Sequence, residues 1–161
     1  MKAIRVHQYG GPEVMKLDDL PTPTPKPGEA LVKIEACGVN YVDIYQRSGL
    51  YKGAMPLPMG LEGAGVVEAV GPNVSEVRAG DRVAWTQTPG SYATHNIVPS
   101  ARLVKLPAGL SGKDGAAAML QGMTAHYLAH SMYPLKKGDS CLVHAAAGGV
   151  GLLLCQMAKR A

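Results

Sequence analysis

The clearest chemical pattern in the chain lies near its end, at Ala146-x-Gly148-x-x-Gly151. It is a G-x-G-x-x-G fingerprint with alanine in the first place. The apolar run Cys141-Leu142-Val143 precedes it and predicts a short strand buried on both faces. Ala145 to Gly149 predict a small-residue turn, and Val150, Leu153, Leu154, Met157 and Ala158 then recur at helical spacing. Strand, tight turn and helix form the setting in which glycines bind a dinucleotide pyrophosphate. Gly148 would let the backbone approach phosphate, and Gly151 would let helix and strand pack closely. The helix amides and the positive end of its dipole would face the anion. Small residues at such a turn can equally serve packing alone.

Other side chains able to do chemistry are sparser. Cys37, Cys141 and Cys155 are far apart with no C-x-x-C spacing, so a disulfide framework is not expected and a reducing cytosol is the default. His7, His95, His126, His130 and His144 show no ligand spacing. His126 and His130 stand four apart on a predicted helix but lack the intervening glutamate of a zincin. Asn40 to Ser48 sets Tyr41, Val42, Ile44 and Tyr45 among polar groups, which suits a short helix or turn lining a cleft.

Elements that could position these groups follow from composition and pattern. The 161 residues hold one domain, or one and a fraction, and 47% hydrophobic with 17% charged residues is ordinary for a globular chain. Twenty glycines, twelve prolines and no phenylalanine predict many turns and short strands. The net charge of +4 is scattered, and only Lys136-Lys137 and Lys159-Arg160 pair. There is no basic arm or stripe, so an anionic cofactor or a solvated surface fits better than nucleic acid. Met1-Lys2 leads into an alternating stretch rather than a signal-peptide core, and no apolar run approaches a membrane span. A cytoplasmic protein is expected.

Strands are predicted near 2–9, Val14 to Leu17, Ala30 to Ala36, Gly60 to Gly71, Arg82 to Trp85, Tyr92 to Val98 and Leu103 to Leu106. Their regular spacing predicts a small barrel-like or sandwich β domain. Pro21 to Gly28 reads as a stiff extended surface loop rather than bait for a proline-reading partner. After Pro107 the pattern turns helical. Ser111 caps, Asp114 sits in the first turn, and two helices, Ala116 to Leu120 and Met123 to His130, break near Gln121-Gly122. Lys136 to Asp139 form a turn, and the domain boundary falls between 1–122 and 123–161.

The order of motifs is specific as a set. Gly10-Gly11-Pro12-Glu13-Val14, Cys37-Gly-Val-Asn-Tyr-Val-Asp-Ile-Tyr-Gln-Arg-Ser-Gly49 and Gly60-Leu-Glu-Gly-Ala-Gly-Val-Val67 come first. Ala79-Gly-Asp-Arg-Val83 and His144-Ala-Ala-Ala-Gly-Gly-Val-Gly151 follow. Over essentially its whole length the chain resembles the amino-terminal half of the quinone oxidoreductases. These form the zeta-crystallin-like, zinc-independent branch of the medium-chain dehydrogenase/reductase superfamily.

The resemblance implies a mainly β fold. A GroES-like β-barrel catalytic domain would cover 1–122, and the first β-α unit of an incomplete Rossmann domain would cover 123–161. Zinc-dependent relatives take their metal with a cysteine before the short helix and a histidine in Gly-His-Glu. Here Cys37 holds the first place, but Leu61 stands between Gly60 and Glu62 and cannot donate to zinc. Cys37 then reads as a small buried residue, no four-cysteine zinc loop is present, and no metal is expected. Hydride delivery from NADPH to a quinone or enone needs only positioning and donors toward the acceptor oxygen.

The resemblance further implies that Asn40 and Tyr45 contact the carboxamide, the ribose or the substrate oxygen, with Tyr41 beside them. Their plainer roles are a turn-capping asparagine and a half-buried tyrosine. Asp43 either touches ligand or holds the local helix. Gln121, Thr124 and His126 match the helix approaching the cofactor, with Thr124 and His126 toward ribose or phosphate, though His126 could face solvent. Gly148, Gly149 and Val150 match the pyrophosphate turn. A homodimer is expected at full length, with no nucleic acid and no membrane partner. The chain is expected to be a truncated piece, inactive alone. The competing readings are a zinc-free enone or enoyl reductase and a non-catalytic crystallin-like or nucleic-acid-binding module.

Overall fold

A computed structural model describes residues 1–161. The chain divides into two compact units, Met1–Ala117 and Ala118–Ala161.

The first unit is built from eight strands in two sheets: β1 (Lys2–Val6), β2 (Met15–Asp19), β3 (Glu29–Cys37), β4 (Leu57–Pro58), β5 (Glu62–Val70), β6 (Arg82–Thr86), β7 (His95–Pro99) and β8 (Val104–Lys105). The smaller sheet has the order β2-β1-β4 and the larger β7-β3-β5-β6-β8, with antiparallel pairing throughout. Val32, Val67, Val83, Trp85 and Val98 alternate inward from the larger sheet and are essentially fully buried together. Val6, Val14, Leu57 and Met59 make a second core under the smaller sheet.

Residues 92–94 join the two sheets. The Ile4 N–H donates to Tyr92 O at 2.8 Å, Thr94 N–H to Lys2 O at 2.9 Å, and Ile34 N–H to Thr94 O at 2.9 Å. Seven of the eight strands lie near their predicted stretches, and β4 at Leu57–Pro58 is the one the sequence did not predict. The proline-rich 21–26 stretch takes no regular structure, in keeping with prolines that cannot donate to a ladder.

Helix α1 (Tyr41–Ser48) follows β3. Asn40 precedes it in extended conformation, and Gly49 closes it in the left-handed region at φ 87°. Its last turn is tied to the loop after β1: Gly10 N–H donates to Arg47 O, and Arg47 Nη1 to Gly10 O, each at 3.1 Å.

Helix α2 (Gly112–His126) starts as expected, with the Asp114 N–H donating to Ser111 Oγ at 3.1 Å. It does not break at Gln121-Gly122. It runs on to His126 and widens into a π-helical turn at Tyr127–Met132. One interior glycine costs a helix only about 1 kcal/mol, too little to end it.

In the second unit, α3 (Gly149–Arg160) forms with Val150, Leu153, Leu154, Met157 and Ala158 on its less exposed side. The strand expected at Cys141-Leu142-Val143 does not form. Leu142 is 82% exposed and the segment pairs with nothing, because a strand exists only through its neighbours and the unit supplies none. Cys37 also departs from expectation. It is exposed at the end of β3, where the chain leaves the sheet, rather than buried. No helix is long and apolar enough to cross a membrane.

Candidate functional site

In the first unit the expected cleft residues gather at the start of α1. Asn40 and Asp43 are both buried, at 7% and 5% exposure. The Asn40 backbone N–H donates to Asp43 Oδ2 at 2.8 Å, the N-terminal half of a capping box. The Asn40 side-chain Nδ2 donates to Glu62 Oε1 at 2.7 Å, and Glu62 is wholly buried on β5. A buried carboxylate is tolerable only with donors on it, and Asn40 supplies one. The Tyr92 hydroxyl donates to the same Asp43 Oδ2 at 2.7 Å, while Asp43 Oδ1 is buried without a partner. Burial first, and then this bond to Asp43, push the Tyr92 phenol up.

Asn40, Tyr41, Asp43, Ile44 and Arg47 put one face of α1 onto a cleft of about 490 Å³. Pro12, Met15, Val39, Met59 and Tyr92 complete the wall. That size and apolar character suit a small-molecule site with few polar groups. Tyr45 turns away from this cleft. It is half-buried, and its ring meets Tyr41 edge-on at 5.2 Å and Tyr51 at 5.4 Å between centroids. Of the candidates at this helix, Asn40, Tyr41 and Asp43 therefore line the cleft and Tyr45 does not.

Cys37 lines a second cleft of about 440 Å³ with Val39, Ser91 and Tyr92. Although the residue is exposed, loss of water around its thiol at the cleft wall, followed by the charge of Asp43, pushes the thiol up and disfavours the thiolate. Leu61 is buried between Gly60 and Glu62 with nothing to offer a metal. No three His, Cys, Asp or Glu side chains are grouped to hold an ion.

In the second unit, the glycine turn has the packing its pattern implies. A Cβ on Gly151 would stand 2.2 Å from Ala145 O and 2.7 Å from Ala146 Cα, both backbone atoms. Gly149 lies against the Gln121 side chain, which a Cβ would strike. Gly148, the residue before α3, meets nothing nearer than Ala145 O at 3.2 Å. Backbone packing explains Gly151; the neighbour of Gly149 is the movable end of Gln121, and Gly148 has a single close neighbour, Ala145 O. The first bond within α3 runs from Leu152 N–H to Gly148 O at 2.8 Å. The amides of Gly149, Val150 and Gly151 therefore have no acceptor inside the helix. Thr124 spends its hydroxyl on Leu120 O at 2.7 Å, one turn back. His126 is exposed, its ring 4.4 Å from that of His130.

Tyr92 and the Asn40 contact with Glu62 escaped sequence reasoning. Tyr92 is 49 residues from Asp43, and Glu62 is 22 from Asn40, so no local spacing joins them. The available signal was Glu62 itself, a carboxylate inside the glycine-rich run 60–67 that must find a buried donor.

Residues 26–108 match the model of the alcohol dehydrogenase GroES-like domain. The chain is 46% identical over 160 residues to a quinone oxidoreductase of Pseudomonas aeruginosa, covering 98% of this chain and 49% of that protein. Among solved structures it is similar to a quinone oxidoreductase of Pseudomonas syringae, with 46% identity and a TM-score of 0.96. That match covers 99% of this chain and 50% of the other. The Escherichia coli quinone oxidoreductase complexed with NADPH is 40% identical with a TM-score of 0.97, again over 99% of this chain and 50% of that one. The chain spans about half the length of the curated relatives it matches.

Proposed function

The chain belongs to the alcohol dehydrogenase GroES-like domain family, and from that premise we propose that its protein, like the quinone oxidoreductases it is similar to, reduces quinones by hydride transfer from NADPH without a metal ion. The observation that carries the reading is the glycine turn. Gly151 is held free of a side chain by backbone packing, and Gly148 and Gly149 leave the turn without side chains before three amides with no acceptor in the helix. These residues fit a pyrophosphate.

NADPH, when bound, supplies the hydride. The protein's part is to orient and to exclude water. Gly148, Gly149 and Val150 hold the anion by backbone amides. Asn40, fixed from its backbone by Asp43 and from its side chain by Glu62, offers a preorganised amide to the carboxamide, ribose or acceptor oxygen. Tyr41 supplies apolar ring surface to the cleft, and Tyr45, packed against Tyr41 and Tyr51, is a weaker candidate toward the acceptor. Asp43 acts chiefly on Asn40. Thr124 and His126 are the weaker candidates toward ribose or phosphate, because the Thr124 hydroxyl is already spent on Leu120.

A quinone takes hydride readily because the added charge spreads to a distant oxygen, so no Lewis acid is required. Leu61, where zinc relatives place histidine, supports the metal-free assignment. In this reading residues 1–122 are the catalytic domain and 123–161 begin the nucleotide-binding one. The protein works in the cytoplasm as a homodimer.

The test is a fluorescence titration with NADPH beside a salt-dependent RNA titration, followed by quinone reduction with zinc and with chelator. Saturable NADPH binding and chelator-insensitive turnover are expected. Salt-dependent RNA binding with no NADPH response would sink the enzyme reading in favour of a binding module.

A further inference from the structure

Tyr92 is the one aromatic residue that lines both clefts of the first unit, and its backbone is pinned at the junction of the two sheets. Its N–H donates to Met59 O at 3.0 Å, and its carbonyl accepts from Ile4 N–H at 2.8 Å. Gly60, at φ 85°, makes room for its ring: a Cβ there would stand 2.4 Å from Tyr92 Cδ1. The ring is thus anchored to the β framework, while its hydroxyl reaches α1.

What it reaches is the carboxylate that fixes Asn40. Tyr92 and the Asn40 backbone N–H converge on Oδ2 of Asp43, and the other oxygen has no partner. The carboxylate is therefore held through a single atom. If the Tyr92 bond is lost, the Asp43 side chain is free to rotate toward a donor for its orphaned oxygen, because a buried unpaired acceptor is costly. The Asn40 N–H would then lose its cap, while its side chain keeps the bond to Glu62.

We propose that Tyr92 is a positioning residue: through its single hydrogen bond to Asp43 it sets the orientation of Asn40 in the cleft. Its consequence for hydride transfer rests on the reading of Asn40 given above, whereas its consequence for the Asn40 amide does not. A displaced Asn40 shifts the reacting groups rather than removing a binding surface, so the rate suffers more than the affinity.

The experiment is Tyr92→Phe, which keeps the ring and deletes the hydroxyl, alone and combined with Asp43→Ala. Two readouts are taken on the purified protein. The first is the Asn40 side-chain NH2 pair in a ¹⁵N spectrum, identified by its loss in Asn40→Asp. It should move or broaden in Tyr92→Phe, and an unmoved pair overturns the proposal. The second is NADPH–quinone kinetics, where kcat should fall about 10-fold or more with KM for NADPH within about 3-fold.

If Tyr92 works through Asp43, adding Tyr92→Phe to Asp43→Ala should change kcat by less than about 2-fold. Independent, multiplying losses overturn the proposal. Should Asp43→Ala fail to fold, Tyr92→Phe and the amide signal still decide it. Absence of quinone turnover in the unaltered protein counts against the enzyme reading, and the amide signal then judges Tyr92 alone.

Discussion

Gly148 and Gly151 sit three residues apart in one turn and differ in what a side chain would meet there. At Gly151 it would meet backbone, which cannot step aside. Gly151→Ala should therefore destabilise the start of α3 by about 1–3 kcal/mol, seen as reduced helical signal and an earlier melt by circular dichroism. At Gly148 a Cβ would press on one atom only, Ala145 O at 3.2 Å, and the backbone is in the extended conformation of an N-cap, with no side chain now filling that role. Gly148→Ser should leave the melting temperature unchanged or slightly raised, since serine caps better than glycine by a few tenths of a kcal/mol. The same change should weaken NADPH binding about 10-fold by blocking the approach of phosphate to the backbone. A loss of both stability and affinity at Gly148 would mean that this glycine serves packing only.

At the scale of elements, β1 and β2 are held by a pair that the pH can break. Asp18 accepts from Arg5 Nε at 2.5 Å and lies 2.9 Å from His7 Nε2. The Arg5 bond is the main cause that holds its carboxyl below the usual range; partial burial opposes it and His7 adds to it. A folded pKa below the unfolded one contributes stability that is present above about pH 4 and lost as pH falls through the folded value. Asp18→Asn should flatten the acid limb of the unfolding curve below about pH 4 and leave the neutral limb parallel to the wild type. An identical acid limb would show the pair to be idle. Met59, 1% exposed, belongs to the core beneath the smaller sheet and also walls the α1 cleft. Met59→Ala should cost about 2–5 kcal/mol, read from the fluorescence of Trp85, the single tryptophan and a fully buried one.

At the scale of the molecule, the two units differ in how their backbone polar groups are satisfied. The first pairs strand with strand across eight strands, while 139–143 in the second take no regular structure. Amide exchange should be slowest along β3 and β5, near the core of the larger sheet, and fast from Asp139 to Ala147. Slow exchange at Leu142 and Val143 would show that they are paired after all. Leu142 at 82% exposure, with Met132 and Tyr133 near 60%, is apolar surface that the second unit does not cover by itself.

Seven of the first unit's eight strands, α1 with its cap, and the glycine turn could be derived from sequence, because each is set by local terms: alternation, capping and the backbone freedom of glycine. Asp43 shows the limit. The sequence left it between touching ligand and holding the local helix; the structure makes it the cap of Asn40, and the tyrosine on its other side comes from 49 residues away. Cys37 failed for a similar reason. Its residue type favours burial, but where β3 leaves the sheet is decided by neighbours distant in sequence. The strand at 141–143 had a strand's composition and no partner, and pairing, unlike propensity, is not a property of the segment. Tertiary structure alone decided which candidates share a surface: it set Asn40, Asp43 and Tyr92 on one cleft and turned Tyr45 to the other face of the same helix. Sequence determined the elements because their energetics are local. The structure assembled the site because burial brings a carboxylate and its donors together from anywhere in the chain.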